Sequence, residues 1–251
     1  MDLREVAAQS ANRHPWEMSR FRFFGDVLQR HRVLQRPANV LDVGAGDGFV
    51  SAQLAHESDE QCMFTCWDVE YENDAAAALG LENNPQVSLE CDRPSSSFDL
   101  IMALDVLEHV EEDVELLSTL VSENLSNDGM VLISVPAWQA LFSRHDEDLT
   151  HLRRYSPRSL RILLKASGLS MVEGGGLFHS LLLPRAITKL RETLVPVPSE
   201  SDGSTLSWDH GPVLTQAVYS ALRIDNALSR FVAKTPFSLP GLSLWALCKA
   251  S

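Results

Sequence analysis

The sequence has no hydrophobic run long enough to span a bilayer, since nowhere do eighteen apolar residues follow one another. Residues 1–13 are polar and charged, and they lack the apolar centre of a secretory signal peptide. We therefore expect neither a membrane-spanning nor a secreted protein, and we expect this one to be cytoplasmic.

Cysteine is scarce, and its spacing argues against a disulfide framework or a cysteine-based zinc finger. The four cysteines form no CxxC pair. We expect them to be reduced core residues with no structural disulfide. With 45% hydrophobic residues, 13 glycines and 12 prolines in 251 positions, the chain is neither disordered nor collagen-like.

Basic residues are rare in the first part of the chain. Residues 1–150 carry 9 Lys and Arg against 28 Asp and Glu, a net charge of −19, whereas residues 151–251 carry 12 and 6, a net charge of +6. An acidic surface repels phosphates, so we expect no nucleic-acid partner. The last hundred residues could still form a local basic face.

Short apolar runs alternate with helical patterns between residues 40 and 135. Parallel strands need crossover connections, which are usually helices, so this alternation predicts one doubly wound α/β domain with a mostly parallel sheet. The predicted strands are Val40–Val43, Met63–Trp67, Val87–Glu90, Phe98–Ala103 and Met130–Val135, and the predicted helices are Phe49–His56, Asn73–Leu79 and Glu111–Leu125.

Further elements flank this core. An amphipathic helix is predicted over Pro15–Arg32. The later pattern predicts a helix over Arg158–Ser167, a strand over Ser170–Gly175, a basic apolar helix over Leu181–Leu194, a loop over Val195–Pro212, a helix over Val213–Val232 and a strand over Leu242–Cys248. We expect a single domain over residues 1–251, with an N-terminal helical cap (1–36), a binding core (37–177), a helical insertion (178–238) and a final strand (239–251).

The most informative stretch runs from Val40 to Gly48 and reads VLDVGAGDG. It predicts a buried strand, a glycine loop and the start of a helix, and glycines let such a loop turn tightly and approach a ligand at the carboxyl edge of the sheet. The spacing is GxGxG rather than the GxGxxG of dinucleotide loops. Asp68, twenty residues beyond Gly48, could accept hydrogen bonds from both hydroxyls of a ribose.

These segments resemble the motifs of class I S-adenosylmethionine-dependent methyltransferases over roughly residues 38–180. The glycine stretch is similar to their first motif, CWDVE (66–70) to the second, FDLIMALDVLEHV (98–110) to the fourth strand and its turn, and NDGMVLISVPAW (127–138) to the fifth strand. The resemblance implies a Rossmann-like sheet of six parallel strands and one antiparallel strand, hairpin-paired at Leu242–Cys248. It also implies S-adenosylmethionine as cofactor and S-adenosylhomocysteine as product.

The resemblance further assigns the cofactor-binding residues. The loop of Gly44, Ala45 and Gly46 would pass under the methionine part, with Asp42 fixing the loop. Asp68, followed by Val69, would hold the ribose. Asp92 would face the adenine, although a solvated turn aspartate is the other interpretation, and the Ala103 backbone would lie near the methionine amine. An acidic surface suits the positive sulfonium and ammonium groups of this cofactor.

Methyl transfer requires the acceptor atom to lie about 3 Å from the methyl carbon, and positioning supplies much of the acceleration. No nucleophilic side chain is needed, but a hydroxyl or ammonium acceptor needs a base. His151 and His109 are the candidates, because both are expected near the carboxyl edge of the sheet.

The same region offers a candidate metal site. Carboxylates and imidazoles at this spacing could hold a divalent cation, and the candidate ligands are Asp105, Glu108, His109 and His151, with His145 and Asp146 nearby. The pattern resembles Glu-x-x-Glu-His with a later His in ubiquinone-pathway O-methyltransferases and small-RNA 2′-O-methyltransferases, although here the first acid is Asp105. The alternative is a structural histidine, since Glu-His-Val also follows the fourth strand in methyltransferases without a metal.

The run from His151 to Tyr155 precedes a predicted helix. Arg153 and Arg154 could grip an anionic acceptor there, a role that the resemblance supports. Alternatively, they neutralise the acids at residues 146–148 in a local ion network.

The insertion should determine the acceptor. Its first helix combines Leu181–Leu183 with Arg185, Lys189 and Arg191 and could lie at a membrane interface, cover the sheet or contact a homodimer partner. We expect O-methylation of a small-molecule acceptor that is anionic or lipid-linked. A cofactor-binding scaffold without transfer activity is the alternative, and a nicotinamide dehydrogenase is disfavoured by the GxGxG spacing.

Overall fold

The computed structural model describes residues 13–72, 75–81, 83–194, 208, 210–232 and 239–251. A seven-stranded sheet forms the centre, in the order β3-β2-β1-β4-β5-β7-β6. The strands are β1 (Asn39–Val43), β2 (Met63–Trp67), β3 (Val87–Glu90), β4 (Phe98–Leu104), β5 (Leu125–Pro136), β6 (Leu169–Leu177) and β7 (Ser243–Ala250).

The sheet has the predicted direction of strands. Strands β1 to β5 pair in parallel, whereas β7 lies between β5 and β6 and runs antiparallel to both. Six strands therefore share one direction, and the fold class predicted from the sequence is confirmed. The predicted hairpin pairing of the last strand is only partly right, because the helical insertion separates β6 from β7 along the chain.

Helices cover both faces of the sheet. They are α1 (Pro15–Arg30), α2 (Phe49–Glu57), α3 (Ala75–Ala78), α4 (Asp113–Thr119), α5 (Arg144–Asp148), α6 (Pro157–Ala166), α7 (Leu182–Leu194) and α8 (Gly211–Val232). Alternate strand residues face opposite sides, so Leu100 joins the core beneath α1, α2 and α8, while Ile101 joins the core beneath α4 and α6. Burial on both faces explains why the strands read as continuous apolar runs.

Two helices have the boundaries that their capping residues dictate. At α6, the Ser156 hydroxyl accepts from the Ser159 N–H, Pro157 occupies the first turn, and Gly168 adopts φ 73° just past the end. At α1, the predicted end at Arg32 is two residues too late, because Arg32 itself has φ 55° and leaves the helix.

Other predicted boundaries are wrong for identifiable reasons. The helix predicted over Glu111–Leu125 ends as α4 at Thr119 and continues as a π-helical turn, Leu120–Asn124. The Asn124 amide donates to the carbonyl oxygens of Pro94 and Ser96, at 2.7 and 2.9 Å, and draws the chain back toward the sheet. Strand β5 therefore starts at Leu125 rather than at Met130.

Three further predictions need adjustment. The helix predicted over Asn73–Leu79 is reduced to the four residues of α3, and residues 73 and 74 lie outside the described part. Most of the predicted loop over Val195–Pro212 also lies outside it, while Gly211 and Pro212 open α8. The polar segment after β5 contains α5, which the sequence reading missed.

The N-terminal helix and the insertion pack against each other. The Asn226 amide of α8 donates to the Ser19 hydroxyl of α1 at 2.9 Å, and Arg230 pairs with Asp26. Among the described helices, none is long and apolar enough to cross a bilayer.

Candidate functional site

The loop after β1 uses glycine where the backbone demands it. Gly44, Gly46 and Gly48 have φ of 60°, 56° and 67°, values that L side chains rarely adopt. A Cβ on Gly44 would lie 2.8 Å from Cγ2 of Val106, in the turn after β4. The loop is therefore pressed against the end of β4, and both line the carboxyl edge of the sheet.

Asp68 lies beside this loop at the end of β2. Its Oδ2 accepts from the Gly46 N–H and its Oδ1 from the Glu70 N–H, both at 3.0 Å. The carboxylate is half-buried, so it can still accept hydrogen bonds from a ligand. Val69 is 77% exposed, and Asp92 is exposed after β3. The structure thus joins Asp68 to the glycine loop but leaves Asp92 at the surface.

Asp42 lies behind the loop, in the middle of the sheet. It is buried in β1 between Cys66 and Met102 on the neighbouring strands, and it accepts from the Ser51 hydroxyl of α2 at 2.7 Å. Burial raises the pKa of Asp42 to about 6. Its position suits a support for the glycine loop rather than a direct ligand contact.

The end of β4 lies beside the glycine loop at the carboxyl edge of the sheet. Ala103 is fully buried and pairs with Val43 of β1 and Ile133 of β5. Asp105, two residues later, adopts φ 57° and accepts from the Ser134 hydroxyl at 2.7 Å. The turn after β4 is therefore held in a fixed, strained conformation.

Two arginines near the N-terminus reach this edge, and the sequence reading missed them. Arg13 pairs with Asp47 in the glycine loop and lies 3.8 Å from the centre of the Phe49 ring. Arg20 pairs with Asp105, and its side chain is buried. Arg20 lies within α1, but Arg13 precedes its N-cap residue His14, so no helical spacing in the sequence marked the two arginines as members of one site.

Glu108, His109 and His151 come together just beyond this turn. The two imidazole rings lie 4.7 Å apart, and one ligand atom from each of the three residues lies within 4.8 Å of the others. The predicted fourth ligand, Asp105, does not belong to this group and is held by Arg20 and Ser134 instead.

Glu108 is the unusual member of the group. It is fully buried, and neither carboxylate oxygen has a hydrogen-bond partner among the described residues. Burial, and then the charge of Asp105, raise the pKa of Glu108 well above its usual range. Such a carboxyl group can remain neutral, or it can be stabilised by a cation.

The polar segment after β5 is fastened to the same turn. The Leu152 N–H donates to the Glu108 carbonyl oxygen at 2.7 Å, and the Tyr155 hydroxyl lies 2.6 Å from the Asp113 carboxylate. Arg153 also pairs with Asp113, at 3.2 Å, and Arg154 pairs with Asp146, at 2.7 Å. Arg154 thus makes an ion pair within the predicted group of acids at residues 146–148, whereas Arg153 pairs with Asp113 outside that group.

Comparison with known proteins identifies the family of the chain. Residues 16–174 match a family model described as a methyltransferase domain. Ajmaline N-methyltransferase of Rauvolfia serpentina is 27% identical over 107 residues, which are 40% of this chain and only 37% of that protein.

Two solved structures share the fold. A putative sarcosine dimethylglycine methyltransferase from Galdieria sulphuraria has a TM-score of 0.56 at 17% identity, covering 93% of this chain and 86% of its own. A methyltransferase from Thiobacillus denitrificans, solved with S-adenosyl-L-homocysteine, has a TM-score of 0.53 at 17% identity and full coverage of both chains. Because the family model matches more than half of the sequence, the chain belongs to the class I S-adenosylmethionine-dependent methyltransferases.

Proposed function

We propose that this protein transfers a methyl group from S-adenosylmethionine to an oxygen atom of a small-molecule or lipid-like acceptor. The observation that carries the proposal is the position of His151, a partly exposed imidazole at the carboxyl edge of the sheet, held by buried Asp146. A hydroxyl acceptor must lose its proton as it attacks the methyl carbon, and histidine is the side chain best suited to take it near neutral pH.

The residues around the glycine loop fit this cofactor. The absence of a side chain at Gly44 keeps the loop close to Val106, and the half-buried carboxylate of Asp68 supplies acceptors for two ribose hydroxyls. Gly44, Ala45 and Gly46 would hold the methionine part, and the Ala103 backbone would lie near its amine. For the exposed Asp92 both interpretations stay open: it contacts the adenine, or it is a solvated residue of the turn. When bound, the cofactor supplies an electrophilic methyl group on a positively charged sulfur.

The chain's own contribution is to orient the acceptor, exclude water and accept a proton. His151 is the proposed base, and His109 is the second candidate because its ring packs edge-on against that of His151. Glu108 lies buried beside both rings, and in its neutral form it adds no negative charge to the acceptor pocket.

A divalent cation is a second candidate for the same cluster. The buried, unpartnered carboxylate of Glu108 is an oxygen ligand next to two imidazole ligands, and a bound cation would lower the pKa of an acceptor hydroxyl. Asp105 would then act through its ion pair with Arg20 and not as a ligand. Treatment with excess chelator separates the two candidates: unchanged turnover supports the base alone, and a loss that Mg²⁺ or Zn²⁺ restores supports the cation.

The proposal of a lipid-like acceptor is based on helix α7, none of whose residues is buried by the part of the chain that the structure describes. Leu183, Ile187, Leu190 and Leu194 form one exposed stripe along the helix. Arg185 lies on the opposite side of α7 and pairs with Asp146, so the stripe faces away from the described part of the protein. Arg191 flanks the stripe, while Lys189 lies nearer to the side of Arg185. We propose that the apolar face contacts an anionic lipid surface.

Labelled methyl donor tests the function. The protein is incubated with the labelled cofactor and a metabolite extract, and the labelled product is identified by mass spectrometry and NMR. A methyl group on oxygen supports the proposal. A methyl group on nitrogen would favour the second acceptor chemistry, in line with the N-methyltransferase relative. Cofactor binding without any labelled product would leave the scaffold alternative, and failure to bind the cofactor or its demethylated product would contradict both.

A further inference from the structure

Asp146 accepts hydrogen bonds from an unusually large set of donors for a fully buried side chain. Its Oδ1 lies 2.9 Å from His151 Nδ1 and accepts from Arg154 Nε at 2.7 Å. Its Oδ2 accepts from the Ser143 N–H at 2.9 Å, from the Ser143 hydroxyl at 3.2 Å and from Arg185 Nη2 at 3.1 Å. These five donors come from its own helix turn, from the following segment and from α7.

The ionisation state of Asp146 follows from these contacts. The guanidinium groups of Arg154 and Arg185 are cationic, and both pair with this buried carboxyl group, at 2.7 and 3.1 Å, so Asp146 is held as the anion. An ionised carboxylate can only accept hydrogen bonds. The ring nitrogen that faces it, Nδ1 of His151, must therefore carry the proton.

The proton on Nδ1 decides what the other ring nitrogen can do. In a neutral imidazole, one nitrogen is protonated and the other keeps its lone pair. With Nδ1 protonated, the lone pair of His151 lies on Nε2, where it can take a proton from an acceptor. Rotation of the carboxylate would break its hydrogen bond with His151. Hydrogen bonds to both oxygens oppose this rotation, from Arg154 to Oδ1 and from Ser143 and Arg185 to Oδ2.

We infer that Asp146 is a positioning residue for methyl transfer, which keeps the proton of His151 on Nδ1 and presents Nε2 as the base. Arg185 extends this control to the insertion, since α7 holds Oδ2 of the same carboxylate. The helix proposed to meet the acceptor is thereby connected to the proposed base through one side chain. The catalytic part of this inference rests on the proposed function, whereas the proton position does not.

NMR of the full-length, ¹⁵N-labelled protein tests the proton position directly. At a pH where His151 is neutral, its imidazole nitrogens should show the Nδ1–H form, with Nε2 unprotonated. In Asp146→Asn, one acceptor oxygen is replaced by an NH₂ group that cannot accept from these donors, so the signals should change to the other tautomer or to an average. A wild-type His151 protonated on Nε2 would overturn the inference without any variant.

Turnover measurements test the consequence. Asp146→Asn should lower kcat with cofactor Kd unchanged, by about tenfold to a hundredfold if the loss matches that seen when the partner of a metal-ligating histidine is removed. The matched control is Asp113→Asn, which removes another ion-paired carboxylate of the same region and should leave the His151 tautomer as in the wild type. Arg185→Met should give a smaller loss, since four donors to Asp146 remain.

The outcomes separate the two proposals. If His151→Ala keeps full activity while the tautomer still depends on Asp146, the base role is wrong and the positioning of the proton stands. If Asp146→Asn leaves both the tautomer and kcat unchanged, Asp146 acts only in packing and the inference is wrong. If Asp146→Asn does not fold, Arg185→Met and the wild-type tautomer still decide the question.

Discussion

The backbone N–H of Gly46 donates to Oδ2 of Asp68 at 3.0 Å, although the two residues are 22 positions apart in the chain. The glycine loop after β1 and the acid at the end of β2 therefore form one unit. Ligand binding by the Asp68 carboxylate should therefore depend on the conformation of the glycine loop. A substitution at either residue should change the position of the other.

Replacing Asp68 with Ala should weaken binding of S-adenosylmethionine about tenfold or more. The substitution removes the proposed acceptor of two ribose hydrogen bonds and also frees the Gly46 N–H. Each hydrogen bond to a charged group is worth about 1.5–3 kcal/mol. Isothermal titration measures the affinity. Asp128→Ala, at an exposed position of β5, is the control and should bind like the wild type. Unchanged affinity of Asp68→Ala would remove this residue from the ribose site.

Replacing Gly44 with Ala should destabilise the protein and weaken cofactor binding. The new Cβ would lie 2.8 Å from Val106 Cγ2 at a φ of 60°, so it adds a steric clash to backbone strain. Gly80→Ala is the matched control, because Gly80 has φ 68° and no atom of the described residues lies within 4 Å of the new Cβ. Urea unfolding should show about 1–2 kcal/mol of loss for the control and a larger loss for Gly44→Ala. Equal losses would show that the contact with Val106 does not matter.

The buried acid Asp42 should make stability depend on pH. Its pKa in the folded protein, about 6, lies above the ordinary value of 3.8, so the folded state retains a proton that the unfolded chain has lost. The contribution of Asp42 to stability is therefore most favourable below about pH 4 and falls as the pH rises to about 6.

Asp42→Asn tests this dependence, because it removes the titration while its amide oxygen can still accept from Ser51. Between pH 4 and pH 7, the free energy of unfolding of the variant should gain about 2–3 kcal/mol relative to that of the wild type. Urea denaturation at both pH values gives the comparison. Parallel pH profiles for the two proteins would contradict the raised pKa.

The exposed stripe of α7 should bind anionic vesicles. Leu190→Glu should abolish cosedimentation with vesicles that contain phosphatidylserine, because it places a charge in the apolar face. Reversing the charge of Lys189 and of Arg191 should weaken vesicle binding by about 1 kcal/mol per charge. The control is Ile162→Glu, which adds the same charge at a 60% exposed position on α6. Absence of vesicle binding by the wild type would contradict the proposal. A concentration-dependent dimer that Leu190→Glu disrupts would instead show that the stripe contacts a second copy of the chain.

The parts of the fold that were predictable are those set by neighbours along the chain. The helix α6 could be placed because Ser156, Pro157 and Gly168 act on the backbone within a few residues of themselves. The glycine loop was predictable for the same reason. The end of α4 was not, because the interaction of Asn124 with the carbonyls of Pro94 and Ser96 joins segments about thirty residues apart.

The candidate site shows the same division. The sequence alone identified the methyltransferase motifs and proposed Asp68 for the ribose and the two histidines as candidate bases, because each belongs to a short pattern beside a strand end. Only the tertiary structure brought Arg20 to Asp105 and Arg185 to Asp146, and separated Asp105 from Glu108, His109 and His151. Ion pairs between distant segments depend on how helices pack on the sheet, and no local pattern of residues encodes which carboxylate a given arginine will reach.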